Sequence, residues 1–258
     1  MSISFCILGS ASGVASKSRI CSGLVMVYNK RLLLFDCGSG VTRAFLRVGF
    51  APGDVDQVFI SHMHADHVSD LPYFLQVVKH SGPRGPLTVN VPEEAVAPLG
   101  SLLTACYLFP DKLDFGLTLK PHDAAQSLYE NRVIVQAIPN RHLKHELNEE
   151  IISGSGYPNL MQSYSFLIEA ENRSLLYSSD LRSLEDIESH VRDLDLLIIE
   201  TTHIDLDRLS EIMSGRNIKR MILTHIAEED EERVHQVVRS YTGPVKLAVA
   251  EEGRVFTL

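Results

Sequence analysis

One short run of metal-ligand side chains constrains this chain more than any other part of its sequence. Residues 61–67 read Ser-His-Met-His-Ala-Asp-His, so three imidazoles and one carboxylate fall within six positions. The run follows the apolar stretch Val58-Phe59-Ile60, which predicts a short buried strand that ends where the histidines begin. Imidazole and carboxylate are ligands that divalent metals prefer, and α/β folds place their sites at strand ends. The run therefore predicts metal binding rather than a solvated loop.

The spacing within the run favours two metal ions. His62 and His64 point the same way if the backbone stays extended. Asp66 and His67 lie past a turn, where they can reach a second ion. Three more ligand-type side chains each follow an apolar strand later in the chain, namely His142, Asp180 and His225. Because strand ends at one edge of a sheet converge, we expect all of these side chains to meet in one preorganised site.

The seven side chains divide into two ligand sets with one shared member. The first ion is assigned His62, His64 and His142, the second Asp66, His67 and His225, and Asp180 bridges them. Zinc is the metal that we predict, and the same nitrogen and oxygen donors also accept manganese, iron or nickel.

Composition excludes several classes of protein. The chain has 258 residues, of which 45% are hydrophobic, so it can bury a large core. Its formal net charge of −9 argues against a protein that coats nucleic acid or an anionic membrane, since both need a basic face. No run of eighteen apolar residues is present, so no transmembrane helix is expected. The scattered cysteines and the strand-like N-terminus predict reduced thiols in a cytoplasmic protein.

The pattern of apolar residues predicts an α/β protein with two halves and no linker between them. A helix is predicted over Val41–Val48, with Gly49 as its stop. Residues 107–131 are weakly patterned and are expected to be mostly irregular, whereas residues 143–162 are expected to form an exposed loop that lines a pocket or a dimer face. In the last third, helices are predicted from about Leu184 and from Asp205.

The order of the ligands along the chain carries a resemblance to a known family. His-x-His-x-Asp-His, then a lone His, then Asp, then Thr-His, resembles the motifs of the metallo-β-lactamase superfamily of metal hydrolases. The resemblance implies an α/β fold, the four-layer αββα sandwich, as a single domain over residues 1–258. Asp36, within Leu-Leu-Leu-Phe-Asp-Cys-Gly, looks like the first motif of the superfamily, an aspartate that orders the ligand loop.

Residues around the ligands are most similar to the phosphodiesterase branch of this superfamily. Asp180 stands where the class B β-lactamases have cysteine, and Asn140-Arg141-His142-Leu143 departs from the Pro-Gly-His-Thr of hydroxyacylglutathione hydrolases. His64 differs from the glutamate of the diiron flavoproteins. The segments Leu8–Gly13 and Asp70-Leu71-Pro72 are similar to a branch that includes the tRNA 3′-processing endonuclease and the cyclic phosphodiesterase of phosphonate breakdown.

One further histidine takes a position that this branch uses in catalysis. In that branch a histidine that is not a ligand stands upstream of the last ligand histidine and faces the scissile phosphate beside an acid. His203 and Glu200 match these positions, and the resemblance implies that His203 is catalytic with Glu200 as its partner. In the alternative interpretation, His203 caps the helix that begins near Asp205.

The resemblance implies a binuclear metal-dependent hydrolase that acts through a metal-bridging hydroxide. Asp66 would both bind metal and accept the proton of the water. A small or cyclic nucleotide-like phosphodiester is the favoured substrate. Transfer RNA is less favoured, because residues 143–162 contain Lys144 as their only Lys or Arg and the net charge is −9. A thioester, lactone or sulfate-ester hydrolase is the alternative enzyme, and a non-catalytic metal-bound scaffold is the least favoured interpretation.

Overall fold

Alternating and continuous apolar runs form two seven-stranded mixed sheets in the computed structural model, which describes residues 3–82, 85–210 and 214–258. Each sheet belongs to one compact unit. The first unit contains the residues up to His122 together with Glu251–Leu258, and the second contains Asp123–Ala250. That residues 1–258 form one domain stays a prediction.

The strands of the first sheet are β1 (Ile3–Gly9), β2 (Gly23–Tyr28), β3 (Arg31–Phe35), β4 (Val55–Phe59), β5 (Leu87–Val91), β6 (Leu117–Pro121) and β14 (Val255–Thr257). The second sheet contains β7 (Ala125–Leu128), β8 (Val133–Asn140), β9 (Ser163–Ala170), β10 (Arg173–Tyr177), β11 (Leu196–Glu200), β12 (Arg220–Thr224) and β13 (Lys246–Val249). Their order across the first sheet is β14-β1-β2-β3-β4-β5-β6, and across the second it is β13-β12-β11-β10-β9-β8-β7.

The α-helices of the described residues lie mostly between parallel strands. Their bounds are Val41–Val48, Ala65–Val68, Leu71–Lys79, Val96–Ala105, Glu146–Ser155 and Glu231–Ser240. Short 3₁₀ helices occupy Pro52–Asp54, Glu93–Ala95, Pro110–Lys112, Leu184–Asp186, Glu188–His190, Leu206–Arg208 and Glu228–Asp230. The predicted helix Val41–Val48 is confirmed, and it ends at Gly49, whose φ of 91° suits a residue without a side chain.

The direction of the strands brings particular loops to one edge of each sheet. In the first sheet β1 runs antiparallel to β2, β2 antiparallel to β3, and β3 parallel to β4, so β1, β3 and β4 end at the same edge. In the second sheet β10, β11 and β12 are parallel, and β8 shares their direction through the antiparallel β9. The loops that follow these strands carry the predicted ligands.

Each unit has its own apolar core. In the first unit, Phe45 and Phe74 pack edge to face with ring centroids 5.3 Å apart, which ties two helices to the buried side of the sheet. In the second unit, all five residues of β11 are buried, as a central parallel strand requires. These cores give the strand ends a rigid base.

Two stretches that we predicted to lack regular structure contain it. Residues 107–131 include β6 and β7, which are the last strands of their sheets and are half exposed, so they lack the apolar alternation of an inner strand. Residues 143–162 include the helix Glu146–Ser155, which has no buried residue and therefore no amphipathic signal. The expectation of exposure was right, and the expectation of a loop was wrong.

Of the two helices predicted from Leu184 and from Asp205, the first is replaced by short turns. From Leu184 the chain forms two 3₁₀ turns, although Leu184, Ile187 and Val191 are buried at helical spacing. After Asp205 the 3₁₀ turn Leu206–Arg208 continues as helix at Leu209 and Ser210, and residues 211–213 of this predicted helix lie outside the described residues. Buried apolar residues at helical spacing are therefore compatible with short turns as well.

All four cysteines are free thiols, in agreement with the absence of a disulfide pattern. Cys6 and Cys37 are buried, and burial raises the pKa of Cys6 to about 12. Over residues 3–82, 85–210 and 214–258, no helix combines the length and the apolar character that a bilayer crossing needs.

Candidate functional site

The first unit brings its four predicted ligands together at the end of β4. The chain is still extended at His64 (φ −63°, ψ 146°), and the one-turn helix Ala65–Val68 follows. The ring centroid of His62 lies 4.6 Å from that of His64 and 4.2 Å from that of His67. His67 Nε2 lies 3.2 Å from Asp66 Oδ2. The turn after His64 therefore folds Asp66 and His67 back towards the first two histidines.

Asp36 supports residues 61–67 through its two carboxylate oxygens. Its carboxylate accepts a hydrogen bond from Ser61 N at 2.8 Å, and its other oxygen lies 3.0 Å from His67 Nδ1. Because an ionised carboxylate can only accept, His67 must donate from Nδ1, which leaves Nε2 as the basic nitrogen that faces Asp66. Asp36 is fully buried at the end of β3 with φ 57°, a conformation that aspartate tolerates better than most residues.

Ser61, which was not predicted as a site residue, contacts two of the ligand histidines. Its hydroxyl lies 3.0 Å from His62 Nδ1 and 3.3 Å from His67 Nδ1. The hydroxyl thus holds His62 by the Nδ1 side, so that Nε2 is the nitrogen directed away from the strand. A hydroxyl immediately before a His-x-His run was the available signal.

Gly38 is required for the close approach of the chain to the ligand run. A Cβ atom on Gly38 would lie 1.8 Å from the carbonyl oxygen of Asp66. This is far below any real contact distance, so any side chain here would push the Asp66 segment away from β3. The Asp-Cys-Gly sequence after β3 therefore combines a carboxylate that holds His67 with a glycine that admits Asp66.

The second unit brings its three predicted ligands together from separate strand ends. His142 follows β8, Asp180 follows β10, and His225 follows β12. His142 Nε2 lies 3.5 Å and His225 Nε2 lies 3.3 Å from Asp180 Oδ2. All three side chains are buried. One carboxylate thus lies between two imidazoles, as expected of a shared ligand.

Asn140, which sequence reasoning missed, links two of these ligands. Its side-chain oxygen accepts a hydrogen bond from His142 N at 3.1 Å, and its Nδ2 donates to the carbonyl of Asp180 at 3.0 Å. Ser163 and Ser165 complete its hydrogen bonds. The buried amide therefore fixes the spacing between the backbones of His142 and Asp180. A polar residue at the end of the apolar strand β8 was the only sequence signal.

His203 lies beside His142 and His225, the two candidate ligand histidines of this unit. Its ring centroid is 4.7 Å from that of His142 and 5.7 Å from that of His225. Its Nδ1 lies 3.4 Å from Oε2 of the buried Glu200, which also accepts from the amide N of His203 at 2.8 Å. The alternative that His203 caps the next helix is not what the structure shows, because Asp205 accepts the capping hydrogen bond from Asp207 N.

Glu200 and its neighbours also hold the ligand segments. Glu200 Oε1 accepts from Leu181 N at 3.3 Å, directly after Asp180. Thr202 Oγ1 donates to the carbonyl of His225 at 2.6 Å, which supports that residue in its left-handed conformation (φ 55°). The end of β11 therefore connects the ends of β10 and β12.

The donor sets in the two units fit divalent metals. Each unit offers imidazole nitrogens and carboxylate oxygens, with the Nδ1 atoms of His62, His67 and His142 lying within 3.4 Å of an oxygen of their own unit. Such outer partners set the tautomer and the orientation of metal-binding histidines. The chemistry suits zinc and also manganese, iron or nickel.

Comparisons with known proteins agree with this chemistry. The profile of the family described as Anti-Pycsar protein Apyc1 matches residues 3–246. A ribonuclease Z of Methanocaldococcus jannaschii is 26% identical over 300 residues, covering 95% of this chain and 94% of that protein. The metallo-β-lactamase fold protein YhfI of Bacillus subtilis superimposes with a TM-score of 0.76 at 18% identity, over 100% of both chains. A diphosphatase of the PhnP family gives 0.72 at 16% identity, over 100% and 98%.

These similarities confirm several predictions. The chain has the metallo-β-lactamase fold and resembles the branch of that superfamily that contains the ribonuclease Z and PhnP proteins. It is a metal-dependent hydrolase.

Proposed function

This chain belongs to the Anti-Pycsar protein Apyc1 family, and from that premise we propose that it is a phosphodiesterase acting on a small or cyclic nucleotide-like phosphodiester. The observation that carries the proposal is the position of His203. Its ring contacts those of two candidate metal ligands, and the buried Glu200 holds its Nδ1 side. A proton donor beside a metal site is what departure of an alkoxide from phosphorus needs, and a thioester, which releases a thiolate, needs it less.

We propose that the ligands of the two units hold the same pair of ions. The first ion would be held by His62, His64 and His142, the second by Asp66, His67 and His225, and Asp180 would be shared by both. Support comes from the grouping within each unit and from the order of these residues along the chain. When bound, two divalent ions would polarise a water molecule and screen the charge of the phosphoryl oxygens.

The side chains of this protein would transfer the protons and orient the ligands. Asp66 would accept the proton of the attacking water in addition to holding metal. Glu200 holds the Nδ1 side of His203, so the proton that His203 delivers to the leaving oxygen comes from Nε2. Asp36, through His67 Nδ1, keeps that ligand in the tautomer that metal binding requires.

A small substrate is supported by the surface chemistry of the second unit. The exposed helix Glu146–Ser155 carries three glutamates, at positions 146, 149 and 150, and Lys144 is the only Lys or Arg in residues 143–162. Phosphate-backbone binding needs Lys and Arg, so this surface repels RNA. The similarity to a diphosphatase of the PhnP family agrees with a small phosphorylated substrate.

Cleavage of an RNA precursor is the second candidate. The similarity to a ribonuclease Z over 95% of this chain favours it. The net charge of −9 argues against it, because affinity for a long RNA rises with the number of phosphates that the protein neutralises. An RNA substrate would therefore be bound only at low salt.

The proposal is tested with the purified protein loaded with Zn²⁺ or Mn²⁺. Turnover is measured on bis-p-nitrophenyl phosphate, on 2′,3′- and 3′,5′-cyclic mononucleotides, on a tRNA precursor and on an aryl thioester, with chelator-treated protein as the control. We expect metal-dependent hydrolysis of the diester and of at least one cyclic mononucleotide. Elemental analysis of the same samples gives the number of ions per chain, for which we expect two.

Three results would contradict this function. A higher kcat/KM for the tRNA precursor than for every mononucleotide would favour the RNA candidate. Thioester turnover without diester turnover would identify a different hydrolase. Full occupancy by metal with no turnover of any of these compounds would indicate a scaffold.

A further inference from the structure

The loop between β1 and β2 borders the carboxylate that the proposed reaction uses. Within the first unit, Ser22 N donates to the carbonyl of Asp66 at 3.1 Å. At the other side of the loop, a Cβ on Gly13 would lie 3.7 Å from Asp66 Oδ2, which is ordinary van der Waals contact. The tip that follows is open to solvent, and Val14 is 74% exposed. A molecule attacked near Asp66 therefore meets this loop.

The base of this loop is held by a residue from the far end of the chain. Glu252 Oε1 accepts hydrogen bonds from Ser10 N at 2.9 Å, from the Ser10 hydroxyl at 2.8 Å and from Ile20 N at 2.9 Å. Arg19 Nη1 donates to the same hydroxyl at 2.7 Å. One charged oxygen thus joins the two ends of the loop, and bonds to a charged acceptor are stronger than neutral ones.

The loop base is buried at Ser10 and Ala11, but its packing is incomplete on the side of Glu252. A cavity of about 430 Å³ lies beside it, lined by Leu8, Ile20, Ala44 and Val48 among others and by Glu252 itself. Backbone bonds from Ser10 N and Ala11 N to the carbonyl of Ile20, both 2.8 Å, also join the loop ends, and Glu252 adds the side-chain part of this constraint beside the open space. Removing the carboxylate should free the loop without opening the sheet.

We infer that Glu252 is a positioning residue that sets the loop Ser10–Ile20 against Asp66 and so determines how tightly the diester binds. The inference rests on the proposed phosphodiesterase function. Glu252 touches no reacting atom, and it acts through Ser10 and Ile20 on a loop whose exposed tip faces the part of the substrate beyond the phosphate. Its loss weakens substrate binding and leaves the chemical step and the metals in place.

Three variants of the metal-loaded protein test this role. Glu252→Ala removes the acceptor, Glu252→Gln keeps an oxygen without the charge, and Glu251→Ala is the matched control, because Glu251 lies in the same turn and bonds to Arg254 instead. For each we measure metal content, kcat and KM on bis-p-nitrophenyl phosphate, and amide hydrogen exchange over residues 10–22.

For Glu252→Ala we expect faster exchange confined to residues 10–22, a KM raised about tenfold, kcat within about twofold of wild type and unchanged metal content, as loss of ground-state positioning predicts. Glu252→Gln should have a KM between those of wild type and Glu252→Ala, and Glu251→Ala should match wild type.

Unchanged hydrogen exchange in Glu252→Ala overturns the role of Glu252, whether or not the protein cleaves diesters. An unchanged KM with a freed loop, or a fall in kcat that follows loss of metal, overturns it as well. Absence of diester turnover by fully metallated wild type instead disproves the proposed function.

Discussion

The two units present their candidate ligands in opposite ways. In the first unit four ligands come from one segment after one strand, so the geometry is largely local. In the second unit the three ligands come from three strand ends. His142 and Asp180 lie 38 positions apart in sequence, and Asp180 and His225 lie 45 apart. These ligands meet only because β8, β10 and β12 end at one edge. A local set is visible as a motif, whereas a distributed set depends on the register of a whole sheet.

The supporting residues differ in the same manner. Asp36 supports the first set through one ring nitrogen and one backbone amide. Asn140 and Glu200 support the second set by tying the backbone of one strand end to that of another. We therefore expect a substitution of Asp36 to weaken the binding of one metal ion only, whereas a substitution of Asn140 or Glu200 should weaken the binding of both ions.

The largest effect is expected from removal of a ligand of the local set. His64→Ala should lose metal and activity together, by more than the roughly 10- to 100-fold that residues supporting a ligand usually contribute. The measurements are metal content by elemental analysis and diester turnover. His80→Ala, at the exposed end of the helix Leu71–Lys79, is the control and should retain both. A fully metallated, fully active His64→Ala protein would refute the ligand assignment.

His203→Ala should separate chemistry from metal binding. The expected loss of kcat is roughly 10²- to 10⁴-fold, the usual contribution of a positioned proton donor. Both ions should stay bound, because His203 is assigned no metal. His190→Ala, which changes a half-buried histidine of the same unit, is the control. Loss of an ion in His203→Ala would show that this ring is a ligand and would remove it from the catalytic role.

The supports should give intermediate effects that distinguish the two units. Asp36→Asn should weaken the ion held by Asp66 and His67 by roughly 10- to 100-fold, and leave the other ion near wild-type affinity. Titration with a metal-sensitive dye measures both affinities. Asp70→Asn is the control, since Asp70 accepts from Thr42 N and is assigned no ligand contact. Equal weakening of both ions would contradict a confined effect.

Asn140→Asp is the corresponding change in the second unit. It keeps the shape of the side chain but places an acceptor against the carbonyl of Asp180, where Nδ2 now donates. Both ions should lose roughly 10- to 100-fold in affinity, because Asp180 is the proposed bridge. Asn148→Asp, which alters an amide on the exposed helix, should have no such effect. A loss limited to one ion would argue against the bridge.

The smallest effect on activity is expected at the opposite ends of the same strands. Asp195 accepts from Arg173, Lys219 and Ser174 N at the starts of β10, β11 and β12. Burial works to raise the pKa of Asp195, but these hydrogen bonds and charges outweigh it and lower the pKa. Asp195→Asn should cost about 1–3 kcal/mol in the free energy of unfolding at pH 7 and leave turnover unchanged.

The pH dependence of this stability gap follows from the direction of the shift. A carboxyl whose pKa is lowered by folding stabilises the protein above its unfolded pKa of about 3.9 and loses that contribution as the pH falls through its folded pKa. Urea unfolding at pH 7 and at about pH 3 should therefore show the gap between wild type and Asp195→Asn shrinking at low pH. Asp193→Asn, on the exposed surface nearby, is the control. A gap that does not change with pH would show that ionisation of Asp195 is not its source.

Regions with strong local signals were predicted well, and regions held by tertiary contacts were not. The helix Val41–Val48 follows the sequence directly, since apolar spacing and a terminal glycine act locally. The edge strands β6 and β7 and the exposed helix Glu146–Ser155 bury little and leave no apolar pattern. Strand β14 pairs with β1 of the first sheet, a pairing between chain ends that no local pattern contains.

In the sequence, the order of the ligand motifs carries the resemblance that implies the metallo-β-lactamase fold and the metal-dependent hydrolase class, and the short spacing within residues 62–67 predicts that these ligands lie together. Only the tertiary structure decided that Asn140 ties His142 to Asp180 and that Glu252 holds the loop after β1. The physical reason is that a hydrogen bond between distant residues depends on the register of the strands that carry them. That register is set by the packing of whole sheets.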